Sequence, residues 1–169
     1  HADYTYQQKY GWRDHRGGGR SSVRITAPWV AAGEIARQWM RQYHTIDCRA
    51  CVTGIGGVEL PNRYDYSTYQ WPVCDDNHWR TPDAGLAAQY DQIAEEAMQK
   101  GDTVGGLISV VVNGVPVGWG EPVFSKLSAE LGKAMLGINS VKGFEMGYGF
   151  EAARQKGSTF NDALHMKDG

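Results

Sequence analysis

Between His15 and Gly33 the chain reads His-Arg-Gly-Gly-Gly-Arg-Ser-Ser-Val-Arg-Ile-Thr-Ala-Pro-Trp-Val-Ala-Ala-Gly. Gly17, Gly18 and Gly19 admit backbone conformations that other residues avoid and let a ligand approach the main chain closely. Ser21 and Ser22 are helix-capping residues that leave free N–H groups at a helix start. Arg16, Arg20 and Arg24 carry permanent charge on planar forks suited to phosphate and carboxylate. These types in this order describe an anion site at the start of a helix. They equally describe a flexible glycine turn with solvated arginines, and local chemistry alone weighs the two about evenly. The spacing of a triphosphate-binding loop is absent. No apolar strand precedes the glycines, so a dinucleotide fingerprint is excluded as well.

Bulk properties narrow the setting. A chain of 169 residues suffices for one domain with a real core. A net charge of −2 provides no global positive field, which argues against nucleic acid or a membrane surface as partner. No apolar run reaches membrane-spanning length, and no signal-peptide pattern opens the chain. Three cysteines make an odd count, which points to a reducing, cytoplasmic compartment rather than a disulfide framework. The chain opens on His1 and closes on Asp168-Gly169 abruptly, as a piece of a longer protein would.

The elements that must position these residues can be read along the chain. Residues 1–21 show no periodicity and are expected to form a loop. A helix is predicted from Ser21 or Ser22 to about Tyr43, with Ile25, Trp29, Ala32, Ala36, Trp39 and Met40 near helical spacing. Pro28 conflicts with a helix interior, where it costs about 3 kcal/mol, so the helix either starts there or kinks there. Ile46, Cys48, Ala50 and Val52 alternate as a strand that ends at Gly56-Gly57. Residues 61–80 carry five aromatic rings in a proline-broken polar stretch and read as a long connection or insertion, with the rings packed on a partner surface. Thr81 is expected to cap a helix whose inner face is Leu86, Tyr90, Ile93, Ala97 and Met98, ending at Gly101. Leu107 to Val112 is apolar enough for a strand buried on both faces, followed by a tight turn at Asn113-Gly114. A helix opening at Ser125, a strand from Val141 to Met146 and a short helix from Phe150 to Gln155 complete a mixed α and β chain.

A competing chemistry is zinc. Cys48-x-x-Cys51 followed by Cys74-x-x-x-His78 has the ligand types of a structural zinc site. On a single strand, however, Cys48 and Cys51 would face opposite ways, so no metal is assigned. His15 is expected to be solvated, and His44 to complement a helix end. Glu121 lacks the partner carboxylate that an acid–base pair would need.

Three blocks in order resemble the chorismate synthase family. They are His1-Ala2-Asp3-Tyr4-Thr5-Tyr6-Gln7-Gln8-Lys9-Tyr10-Gly11 with Arg16 to Arg24, then Gly120-Glu121-Pro122-Val123-Phe124, then Ile138-Asn139-Ser140-Val141-Lys142-Gly143 with Gly147 to Glu151. The resemblance implies an α+β fold, a layered β-α-β sandwich with helices between antiparallel sheets, here incomplete. It places the chain either as a single domain over 1–169 or as the central part of a longer one. It implies a lyase that removes phosphate from 5-enolpyruvylshikimate 3-phosphate by anti-1,4-elimination to give chorismate, in the shikimate pathway to aromatic amino acids. Reduced FMN is the implied cofactor and a homotetramer the implied assembly.

Carried over by motif, His1 is the catalytic acid or base beside the flavin. Arg20, Ser21 and Ser22 match one flavin-binding segment, Asn139 and Ser140 a second, and Arg24 the arginine that holds the anionic substrate. The chain departs from the family pattern at Ile25, which stands where relatives are acidic, and at Trp29, where they carry arginine. Pro28 and Tyr148 are further departures. Because family chains extend past both ends, the 169 residues alone are expected to be inactive. The alternatives are a non-catalytic anion- or zinc-binding module and a degenerate relative that keeps only the flavin.

Overall fold

A computed structural model describes residues 2–162 and 166. In chain order it holds α1 (Ala2–Tyr10), α2 (Thr26–His44), β1 (Asp47–Ile55), β2 (Val58–Glu59), α3 (Trp71–Asp76), α4 (Ala84–Gln99), β3 (Gly106–Asn113), β4 (Gly120–Glu121), β5 (Ser125–Lys126), α5 (Leu127–Leu136) and α6 (Gly157–Phe160). Helices mix with antiparallel strands, so the fold is α+β. The chain divides into two compact units, residues 32–117 and residues 1–31 with 118–169. No helix among the described residues is long and apolar enough to cross a membrane.

The unit 32–117 is built on an antiparallel sheet of order β2-β1-β3. Gly56 and Gly57 close the β1–β2 hairpin with φ of 58° and 88°, a pair of left-handed residues that matches strand twist. Cys51 faces Ser109 across β1 and β3, and the register shifts between Val52 and Gly54. Thr53, itself buried, shares a 2.9 Å hydrogen bond with Ser109.

Helix α4 presents Leu86 and Tyr90 to the interior one turn apart. Its cap is Asp83, not Thr81: the Asp83 carboxylate accepts from Gly85 N at 2.7 Å and Leu86 N at 3.0 Å. An anion that takes two N–H groups at a helix N-terminus outcompetes a hydroxyl one residue outside the motif. Thr81 is buried instead, and Met98 points into solvent rather than inward. Gly101 (φ 65°) ends the helix as expected.

Part of the connection 61–80 packs on its own chain. Tyr69 and Cys74 are buried with Cys51, and Leu60, Trp71 and Val111 lie against them. The Arg49 guanidinium sits 5.6 Å over the Trp71 ring. Trp79 meets Tyr90 edge-on at 5.8 Å and donates from Nε1 to Asp91 at 2.8 Å.

Strand β3 forms as predicted, yet it is not buried on both faces: Ile108, Val110 and Val112 are exposed. Burying both faces takes a layer on each, and the described residues supply none over this one. At the end of β3, Gly114 turns with φ 79°, and a Cβ there would lie 2.5 Å from the Thr45 carbonyl oxygen. A Gly114→Ala variant is expected to lose about 2 kcal/mol or more, from left-handed strain and a backbone clash that no rotamer relieves. Its denaturant midpoint reads this directly, and an unchanged midpoint would refute the geometry.

The second unit opens with α1, where the sequence suggested a loop. Its residues form no apolar stripe, so periodicity could not reveal it. Tyr6 and Tyr10 nonetheless meet as tilted rings with centroids 5.5 Å apart, one turn apart along the helix. Two 3₁₀ turns, Gly19–Ser21 and Val23–Ile25, lead into α2. Pro28 is the third residue of α2, inside the first turn, where a missing N–H costs no helical bond. The β4–β5 hairpin precedes α5, which begins at Leu127 rather than at Ser125. Residues 141–146 are irregular rather than a strand. Phe144 rests on Gly132 of α5 with no neighbouring strand to pair with. Tyr148 packs edge-on to Phe160 at 5.2 Å.

Candidate functional site

The loop after α1 is tied down by charge. Asp3 on α1 pairs with Arg13 at 3.3 Å, and Gln7 Nε2 donates to the Gly11 carbonyl at 2.8 Å. Asp14 accepts from Arg16 three times, from the main-chain N at 2.9 Å, Nε at 3.0 Å and Nη2 at 2.9 Å. These bonds hold the Asp14 carboxyl below its usual range. Arg16 is therefore occupied, which corrects the expectation that it serves as a free anion ligand.

The glycines then fold back. Gly19 has φ 53°, and a Cβ on Gly18 would press on Ser21 Oγ and Ser22 Cβ at 3.3 Å each. Ser21 N donates to the Gly18 carbonyl at 2.9 Å, and the Ser21 hydroxyl donates to the same oxygen. Ser22 caps the second 3₁₀ turn, its Oγ accepting from Arg24 N at 3.4 Å, whereas the helix expected to open at Ser21 or Ser22 begins only at Thr26.

A distant segment arrives at this turn. Asn139 and Ser140 occupy a tight turn closed by Val141 N donating to the Ile138 carbonyl at 3.2 Å, with Ser140 at φ 69°. Asn139 Nδ2 donates to the Ser21 carbonyl at 3.4 Å, joining residues 118 apart in sequence. Asn139 Oδ1 is sealed from solvent and has no hydrogen-bond partner among the described residues, an arrangement that costs about 1–3 kcal/mol.

An open pocket of about 300 Å³ adjoins this turn, lined by Tyr6, Tyr10 and Trp12 together with Gly17 to Ser21. That volume lies at the lower end of the range for small-molecule sites. Arg20 lines the pocket; among the described residues it and Arg24 have no acidic partner, so they carry the local positive charge. Arg24 lies one turn further along the chain and does not line the pocket. The structure thus brings Arg20, Ser21, Ser22 and Asn139 together, with Ser140 adjacent. His1 lies outside the described residues. The aromatic wall escaped the sequence reading, although Tyr6 and Tyr10 at a four-residue spacing were its signal.

The zinc candidates do not converge. Cys51 lies in the core against Cys74, while Cys48 is on the other side of β1 and partly exposed. Burial pushes the Cys51 thiol up to about 12, so it stays protonated near neutral pH. His78 pairs with Asp91 at 3.0 Å. Among the described residues no three His, Cys, Asp or Glu side chains form a metal-holding group. His15 and Glu121 are exposed, and His44 packs against Trp39 at 4.7 Å.

Comparison with known proteins adds the following. The family model for chorismate synthase matches residues 1–168. A chorismate synthase of Burkholderia orbicola is 44% identical over 164 residues, covering 97% of this chain and 43% of its own. One from Cytophaga hutchinsonii is 50% identical over 168 residues, covering 99% of this chain and 46% of its own. A solved structure described as the crystal structure of chorismate synthase has a TM-score of 0.87 at 27% identity, covering 98% of this chain and 53% of that one.

Proposed function

We infer the function from one premise: this chain belongs to the chorismate synthase family. It spans about half the length of the relatives it matches. We propose that it supplies the flavin-binding portion of a lyase that eliminates phosphate from 5-enolpyruvylshikimate 3-phosphate to give chorismate, for aromatic amino acid biosynthesis. The observation that carries this reading is the Asn139 to Ser21 hydrogen bond. It joins the two segments expected to hold one cofactor beside a pocket with an unpaired arginine.

The residues present fit FMN. Aromatic rings and side-chain-free glycines line one pocket, which suits a flat ring, and Arg20 offers a phosphate or other anionic group a charge-assisted partner. When bound, reduced FMN supplies electron density as the substrate's phosphate departs. Ser21 and Ser22 order the turn that aims Arg20, and Asn139 fixes the Ser21 carbonyl. Arg24, exposed and without an acidic partner among the described residues, is assigned an anionic group of the substrate. His1 is assigned the proton transfer at the flavin, and Ser140 a second cofactor contact. The homotetramer and the cytoplasmic setting belong to the same reading, as does placement of these residues in a longer domain.

Titrating the 169-residue chain with FMN and then assaying chorismate formation with reduced FMN and substrate tests this proposal. FMN binding with no turnover above background is expected, because the chain spans about half the length of its relatives and the family resemblance implies that further transition-state contacts come from the remainder. Failure to bind FMN would sink the assignment of the pocket, and rapid turnover would refute the division of labour. Binding of FMN by a longer enzyme that has no affinity for the substrate would instead favour a degenerate relative.

A further inference from the structure

We propose that the aromatic wall contributed by α1 and the residue beyond it, Tyr6, Tyr10 and Trp12, holds the planar ring of the cofactor, and that this pocket excludes the non-planar substrate. The inference rests on the flavin reading above and extends it to residues that the cofactor motifs do not include.

Three observations lead there. Trp12 and Tyr10 are 69% and 61% exposed, yet both open onto one pocket with Tyr6 instead of scattering over the surface. Each ring offers a large apolar face whose removal from water by a stacked partner is favourable. Gly17 to Gly19 line the same pocket, and neither Gly17 nor Gly19 would meet anything within 4 Å if given a Cβ. Aromatic faces together with side-chain-free backbone leave room for something flat.

The acidic groups point the same way. Asp3 and Asp14 both line the pocket but are held by Arg13 and Arg16. Arg20, at the rim of the glycine wall, is the pocket arginine without a carboxylate partner. The wall near α1 is therefore close to neutral, with one cation at one end. A neutral tricyclic heteroaromatic ring carrying a phosphate on a flexible arm matches that layout. A cyclohexene bearing two carboxylates and a phosphate does not, since most of its charge would face uncharged aromatic surface.

The test uses FMN and riboflavin, which share the ring and differ in the phosphate, on the same chain. Trp12→Leu and Tyr10→Leu are expected to weaken both flavins about tenfold and equally, the scale of a lost aromatic stack. Trp12→Phe should recover most of the loss, and Tyr4→Leu, an exposed α1 ring outside the pocket, should change nothing. Arg20→Ala should weaken FMN while sparing riboflavin. Circular dichroism of each variant separates loss of binding from loss of α1. Wild-type riboflavin affinity in folded Trp12→Leu and Tyr10→Leu overturns the aromatic wall while leaving the cofactor assignment standing. Displacement of riboflavin by 5-enolpyruvylshikimate 3-phosphate would overturn it too, by giving the pocket to the substrate. Absence of flavin binding in the wild-type chain would remove both readings together.

Discussion

Arg20→Ala is expected to raise the dissociation constant for FMN by roughly ten- to a hundredfold. The segment 13–24 holds four arginines, but their charges are not equally available. Arg13 is paired to Asp3 and Arg16 is forked onto Asp14. Arg24 lies outside the pocket, which leaves Arg20. A hydrogen bond to a charged group is worth about 1.5–3 kcal/mol, and each 1.4 kcal/mol is a factor of ten in affinity. Because Arg20 is exposed, part of this is screened, so the loss should shrink as salt is raised. Arg20→Lys should restore some of the affinity, as a point charge without the fork. Ser22→Ala should act more weakly. Its oxygen is committed to Arg24 N, so the variant loses a cap worth about 1 kcal/mol rather than a ligand contact. Fluorescence titration of the three variants measures the order, and unchanged affinity in Arg20→Ala would remove the cofactor from this loop.

The largest effect on stability is expected at Tyr90. Its side chain is 0% exposed and packs edge-on against Trp79, filling the space beneath α4. Tyr90→Ala should cost about 3–5 kcal/mol, combining lost transfer free energy with a cavity the surroundings cannot fully close. Tyr90→Phe should cost far less. Burial holds the Tyr90 phenol above its ordinary pKa, and a hydrogen-bonding interaction with the buried Thr81 side chain partly offsets this. Deleting the hydroxyl leaves Thr81 Oγ1 buried without it, so Tyr90→Phe should lose about 1 kcal/mol. Equilibrium urea unfolding compares the two. A loss in Tyr90→Phe as large as that in Tyr90→Ala would refute the packing role assigned to the ring.

What was legible in the chain was what short-range physics encodes. Helical spacing of Leu86 and Tyr90, the glycine pair of the β1–β2 hairpin, the stop at Gly101 and the Ser22 cap each depend on neighbours a few residues away. The three family blocks were legible for a different reason, as ordered runs of residue identity, and the matching family model spans residues 1–168. The helix cap between Thr81 and Asp83 was misread because both are good caps, and the local backbone path chose between them. Helix α1 was invisible, since a polar helix held by an ion pair and a tilted tyrosine pair shows no apolar period.

Tertiary structure alone decided the rest. Residue types named three arginines near the glycines, but only folding revealed that Asp14 neutralises Arg16, and that Asp3 does the same for the neighbouring Arg13. Spacing could not show that Asn139 reaches the Ser21 carbonyl, or that its own oxygen is left buried and, among the described residues, unpaired. Nor could it show that Tyr6, Tyr10 and Trp12 line one pocket with the glycine turn. Periodicity and turn chemistry are properties of adjacent residues and survive in a string of letters. Charge pairing, pocket walls and contacts across 118 residues exist only once the backbone has brought distant segments within a few ångströms.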